Sequence, residues 1–223
     1  GENLLMKLVV FDLDGTLLNT IEDIRYAVNY ALSAFDMDLV PSDRMMAMVG
    51  SGLRNALSQA VVASGKQVDE ENSGLMMELL MATYLKHPAD LTYAYEGIPE
   101  LLKALLEKGI QIGILSNKKD EIIQKIVDLK FPDVPFAFAL GQTDKYPLKP
   151  RPDSLYAMME LCGVNKKDVV YVGDSEVDAV TARNAGVPYY IVSYGFRTEE
   201  QLKKAGVEEP LPSVEALREA LGV

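Results

Sequence analysis

The sequence has no tryptophan, a single histidine and a single cysteine. One thiol, Cys162, can neither close an internal disulfide nor build a cysteine metal site, so it reads as a small apolar residue on a helix. The lone histidine, His87, precedes Pro88 and reads as a surface or hinge residue without a chemical role. Long apolar runs are also missing. None approaches the ~20 residues of a membrane span. The opening GENLLMKLVVFD has too short an apolar stretch for a secretory signal and runs into a strand pattern with an acidic end. Gly1 is compatible with a tag remnant. Positive charge is scarce: 22 Lys and Arg stand against 33 Asp and Glu, a net charge of −11. Nonspecific nucleic-acid binding is therefore not expected. An anionic ligand would be repelled at long range, so a site for one needs a cation, lysines or helix N-termini at the point of binding. A reducing, cytoplasmic setting is expected, with no membrane partner, and monomer and homodimer are both left open.

Its 223 residues suit a core domain carrying a smaller one. Short β-branched or aromatic runs at 8–11, 110–115, 136–140, 169–172 and 189–192 lack polar alternation, as strands covered on both faces do. Helical patterns separate them: 99–108 with Pro99 at its start and Gly109 as its stop, then 118–130, 153–162 and 176–185. Thr198 with Gln201 forms a capping-box pattern ahead of 199–205, and Ser213 caps a last helix. Strands alternating with helices predict an α/β fold, a doubly wound parallel sheet with a Rossmann-like core. Between residues 20 and 88 the alternation stops. Helical stretches near 20–35, 53–64 and 69–86 predict a small all-helical domain inserted after the first strand. The expected division is a core of 1–18 and 90–223 and an insert of 19–89.

The chemistry-bearing residues collect at strand ends. Asp12-Leu13-Asp14-Gly15-Thr16 follows the first strand, and in an open α/β sheet ligands bind outside the carboxyl ends of the strands. Two carboxylates so close are costly without a cation, and a hard oxygen-seeking ion such as Mg²⁺ would explain them. Ser116-Asn117 ends the strand at 110–115, where a hydroxyl beside free helix N–H groups would make an anion site, although Ser and Asn there are commonly only caps. Lys149-Pro150-Arg151-Pro152 holds a lysine in a stiffened loop, able to set a point charge against a phosphate. Gly173-Asp174-Ser175-Glu176-Val177-Asp178 puts an acid at another strand end and a second one helical turn on. Acid, hydroxyl, base and acid therefore converge on one expected cleft.

With these motifs in this order, the chain resembles the haloacid dehalogenase-like hydrolase superfamily, over nearly its whole length. The resemblance implies that Asp12 attacks phosphorus and that Asp14 protonates the leaving oxygen and later activates water. It implies Mg²⁺ held by Asp12, Asp174 and the backbone carbonyl of Asp14. Thr16, Ser116, Asn117 and Lys149 would hold the phosphoryl group, and Asp178 would support the metal shell or orient Lys149. The helical insert is similar to the cap domain of the subgroup containing phosphoglycolate phosphatases and β-phosphoglucomutase.

Specificity is expected in that cap, because the core motifs meet only phosphate. In Val49-Gly50-Ser51-Gly52-Leu53-Arg54, Gly50 and Gly52 would let the backbone approach a ligand. Arg54 would meet a second anionic group, or else is a solvated residue at a turn. Methionines 45, 46, 48, 76, 77 and 81 crowd the cap, as a flexible apolar surface or as ordinary helix packing. The resulting expectation is a Mg²⁺-dependent phosphatase acting on a small organic phosphate through an aspartyl-phosphate on Asp12. The alternatives are a β-phosphoglucomutase-like phosphomutase and, in another class, a nonenzymatic phospho-acceptor or binding module.

Overall fold

The computed structural model describes residues 6–223, so Gly1 lies outside it. In chain order the elements are β1 (Leu8–Phe11), β2 (Leu18–Asn19), α1 (Ile21–Ser33), α2 (Ser42–Met48), α3 (Leu53–Ala63), α4 (Glu70–Lys86), β3 (Tyr93–Ala94), α5 (Ile98–Glu107) and β4 (Gln111–Lys119). They continue as α6 (Asp120–Lys130), β5 (Phe138–Gln142), α7 (Asp153–Cys162), β6 (Val169–Gly173), α8 (Glu176–Ala185), β7 (Tyr189–Ile191), α9 (Glu199–Lys204) and α10 (Val214–Leu221).

Five strands form one parallel sheet in the order β5-β4-β1-β6-β7. The apolar runs explain it, since every residue of β1 is buried and only a sheet covered on both faces can accept that. The two faces separate by alternation. Val9, Phe11, Ile112 and Ile114 join the apolar cluster that α5, α6 and α10 cover, whereas Leu8, Val10, Leu115 and Tyr171 join the one that α7 and α8 cover. Each fully buried Leu or Phe contributes roughly 1.5–3 kcal/mol. From β1 the chain winds outward through β4 and β5, then returns across β1 to β6 and β7. The reversal at β1 opens a crevice at its carboxyl end, where Asp12 begins.

Four helices, α1 to α4, lie between β2 and β3, and these two short strands pair antiparallel as a ribbon under the insert. The apolar cluster over β1 continues without a break into the insert through Leu13, Leu17, Ile21, Met45, Met76 and Tyr84. Met45 and Met76 are fully buried, which favours the packing reading of the cap methionines. Among the described residues, no helix is long and apolar enough to cross a membrane.

Several expected bounds shift. The strand expected at 110–115 runs to Lys119, so α6 starts at Asp120 and Ser116-Asn117 lies in extended backbone rather than at a helix N-terminus. The register between β4 and β5 slips between Leu115 and Lys119, which lets the strand continue past its regular pairing. Helix α2 and the β2–β3 ribbon were not expected. The expected capping box of Thr198 with Gln201 is present, and Ser213 Oγ accepts the amide of Ala216.

Candidate active site

The turn after β1 is shaped by glycine. Gly15 has φ +80°, and a Cβ there would sit 2.0 Å from Asp174 Oδ2, so only glycine lets the two acidic loops meet. Tyr194 braces the turn from outside by donating its hydroxyl to the Thr16 carbonyl at 2.7 Å.

Asp12 leaves β1 with its Oδ1 accepting the amide of Leu13 at 2.9 Å and facing Lys149 Nζ at 3.4 Å. Lys149 Nζ also donates to Leu115 O at 2.9 Å, the Tyr171 hydroxyl at 2.7 Å and Asp178 Oδ1 at 3.1 Å. Burial alone would lower the lysine's affinity for its proton, but the Asp12 and Asp178 charges outweigh it and hold Lys149 well above its ordinary value. It is therefore a fixed positive charge beside Asp12. Asp178 is its anchor: Oδ1 also accepts from Tyr171 at 2.8 Å, while Oδ2 accepts the amides of Asp174 and Ser175 at the start of α8. Through these bonds Asp178 touches both Lys149 and the backbone of Asp174.

Asp174 Oδ2 accepts the amide of Phe196 at 3.0 Å. Asp12, Asp174 and Asp178 each bring one carboxylate oxygen within 4.8 Å of the others, and all three are buried. Burial, followed by the Asp178 charge, holds Asp12 well above the carboxylate range, with Lys149 opposing. Burial and the same Asp178 charge push Asp174 up to about 7. Clustered buried acids of this kind cannot all ionise unaided, and an oxygen-ligated divalent cation fits the donor set.

Ser116 lines the cleft, and its Oγ accepts the amide of Lys118 at 3.0 Å, which leaves the hydroxyl proton free to donate. Asn117 lines the cleft as well, with its side chain bonded to the surrounding loops. Its Nδ2 donates to Gly50 O at 3.1 Å and Lys149 O at 3.0 Å, and its Oδ1 accepts the Lys149 amide at 2.8 Å, so it stitches the cap loop and the lysine loop to β4. Thr16 is not among the residues lining the cleft; it is fully buried, and its Oγ1 has no hydrogen-bond partner among the described residues.

The cap side of the cleft is apolar: Val49, Gly50, Gly52, Leu53 and Ala56. Gly50 and Gly52 lie where they were expected. Arg54 does not. It is exposed and lines a separate hollow with Leu57, Ser58 and Met77. The reason is helical phase: Leu53 and Ala56 of α3 face the cleft, and the ~100° step from Leu53 turns Arg54 away.

Sequence reasoning missed five contributors. Lys118, buried on the β4 extension, lies 2.5 Å from Asp14 Oδ1. The hydroxyl of Thr20 donates to that same oxygen. Tyr84 of α4 accepts from Lys118 Nζ. Tyr171 holds Lys149, and Arg197 donates to Met46 O at 2.8 Å, Val49 O at 2.7 Å and Glu176 Oε2 at 3.0 Å. A strand extended to residue 119 would bring Ser116 and Lys118 to one side by alternation; Thr20 lies six residues from its partner Asp14, and the other three are long-range pairings without a local signal.

A family model described as haloacid dehalogenase-like hydrolase matches residues 9–192, a span containing every acid of this cluster. A phosphoglycolate phosphatase of Pseudomonas savastanoi pv. phaseolicola is 31% identical over 222 residues, covering 97% of this chain and 79% of its own. One from Caulobacter vibrioides is 31% identical over 200 residues, covering 90% and 84%. A solved structure from Lactobacillus delbrueckii subsp. bulgaricus, a proposed phosphoglycolate phosphatase, superposes with TM-score 0.91 at 30% identity over 97% of this chain and 98% of that one. With its parallel sheet, helical cap and acid cluster at the carboxyl end of β1, this chain belongs to the haloacid dehalogenase-like hydrolases.

Proposed function

We propose that the chain is a Mg²⁺-dependent phosphomonoester hydrolase for a small organic phosphate of the phosphoglycolate type, working through an aspartyl-phosphate on Asp12. The observation that carries this reading is the pairing of Asp12, at the sheet's switch point, with the ammonium of Lys149 at 3.4 Å and a second acid, Asp14, two residues away. Asp12 Oδ1 is occupied by Leu13 and Lys149, so Oδ2 is the oxygen left to attack phosphorus. As the new O–P bond forms, the ester O–P bond breaks, and the leaving oxygen takes a proton from Asp14. A water then gives a proton back to Asp14 and attacks the phosphorus, releasing inorganic phosphate and restoring Asp12. Ser116 Oγ–H and the Lys149 charge stabilise the phosphoryl oxygens, and most of the acceleration comes from such positioning. Asp12, Asp174 and the Asp14 carbonyl would hold Mg²⁺, which supplies charge neutralisation when bound.

The cleft has about 30 Å³ of free volume, room for little more than a water or two, so the cap must part for a substrate to enter. The relatives named phosphoglycolate phosphatases support the same substrate class. The test is a phosphate-release screen over small phosphorylated metabolites, with Mg²⁺ and with chelator, beside Asp12→Asn. Release from phosphoglycolate or a close analogue, lost on chelation and in the variant, is expected. Full activity in Asp12→Asn would overturn the mechanism, and release only in exchange with a sugar phosphate would favour the mutase.

A further inference from the structure

We infer that Lys118 and Tyr84 are positioning residues for Asp14, holding its carboxylate in the orientation that proton transfer to the leaving group requires. The inference rests on the phosphatase reading above. Asp14 Oδ1 accepts from two groups, the hydroxyl of Thr20 and the ammonium of Lys118 at 2.5 Å. No donor reaches Oδ2 among the described residues, so the two bonds on Oδ1 set where the second oxygen points. Asp14 and Lys118 both line the cleft, and neither is more than a tenth exposed.

Lys118 is fixed in turn from the cap. Its ammonium donates to the hydroxyl of Tyr84 and lies 4.6 Å from the centroid of that ring. Tyr84 is fully buried on α4, an element of the insert, whereas Lys118 belongs to the sheet. A long flexible lysine side chain would otherwise sample many rotamers, and the tyrosine removes that freedom while the cap is closed. Moving α4 away from β4 breaks the Lys118–Tyr84 bond first and frees the lysine from Asp14 next. The acid is then aligned only when the cap has shut out water. Lys118 differs in this from Lys149, whose four partners all belong to the sheet domain.

The experiment exploits leaving-group chemistry. p-Nitrophenolate departs without a proton, whereas an alkoxide needs one. kcat/KM, which reports formation of the phosphoenzyme, is measured with Mg²⁺ for p-nitrophenyl phosphate, ethyl phosphate and phosphoglycolate in the wild type, Lys118→Met, Lys118→Arg and Tyr84→Phe. Melting temperatures are followed alongside. Lys118→Met is expected to lower kcat/KM for both alkyl phosphates by on the order of 10²-fold and for p-nitrophenyl phosphate far less, since a positioned acid contributes about 10²–10⁴-fold. Tyr84→Phe is expected to give the same pattern, smaller, and Lys118→Arg to recover part of the loss. Should Lys118→Met not fold, Tyr84→Phe, which removes one oxygen, carries the test. Equal losses on all three esters would overturn the inference and leave the phosphatase reading intact. Loss on phosphoglycolate with ethyl phosphate spared would also overturn it, because Lys118 would then read the substrate carboxylate. A wild type inert toward all three would overturn the phosphatase reading and this inference with it.

Discussion

At the scale of single residues, Asp174 shows what the site asks for. Its burial and the Asp178 charge push its carboxyl up to about 7, against the opposing pull of the Phe196 amide and Arg197. An unfolded aspartate titrates near ~3.9. From about pH 4 to 7 the folded, metal-free protein therefore keeps a proton that the unfolded chain has lost. Stability falls as pH rises through that window, by a few kcal/mol at most. With chelator present, the melting temperature is expected to drop between pH 5 and 7.5. Mg²⁺ should raise it more at pH 7.5 than at pH 5.5, because the cation competes with the proton. Asp174→Asn should flatten both trends, and a melting temperature indifferent to Mg²⁺ at pH 7.5 would count against a cation at this cluster. Asp12, Asp14 and Asp174 were legible because each lies at or just beyond a strand's carboxyl end, Ser116 because the apolar strand pattern stops just before it, and Lys149 because two prolines stiffen its loop. Lys118 was not, since a lysine after Ser-Asn reads as the start of a helix. Arg54, left open between an anion contact and a solvated turn residue, could not be placed until the phase of α3 was known.

At the scale of elements, four pieces of backbone meet over the cleft: the turn after β1, the end of β4, the loop holding Lys149 and the cap segment 49–52. Asn117 ties three of them, and Arg197 adds a further link, clamping Met46 O and Val49 O of the cap to Glu176 at the head of α8. Arg197 is only 9% exposed, so these bonds are largely sheltered from water. Hydrogen bonds to a charged group are worth about 1.5–3 kcal/mol each. Arg197→Ala is therefore expected to speed amide exchange in the α2–α3 connection, residues 46–53, while exchange in β1 and β6 stays slow. Unchanged exchange there would show that the clamp does not hold the cap. The long elements were legible from periodicity, α7 and α8 to the residue. The short ones were not. Helix α2 spans only two turns behind Pro41, and β2 and β3 are two-residue strands that pair Leu18 with Ala94 and Asn19 with Tyr93, so no window of sequence contains the contact.

At the scale of the whole molecule, a strongly acidic chain buries two lysines among the acids where its two parts meet. Lys118 and Lys149 are buried at the cleft and held by Asp14, Asp12 and Asp178, while the net charge is −11. The four acids Asp12, Asp14, Asp174 and Asp178 outnumber those two lysines, so the proposed binding of a phosphate calls for a bound cation as well. The α/β class and the helical insert followed from the alternation of strand and helix patterns; the way the cap is fastened to the sheet depends on side chains far apart in sequence. The central claim is that Asp12 carries the phosphoryl group. It is tested most directly by rapidly quenching Asp14→Asn during turnover of p-nitrophenyl phosphate with Mg²⁺. That ester needs no acid to form the phosphoenzyme, and the variant lacks the base that would discharge it. A burst of nitrophenolate close to one per chain is predicted, with the mass of one phosphoryl group on the peptide containing Asp12. No burst and no covalent phosphate, or phosphate on a different peptide, would contradict the account.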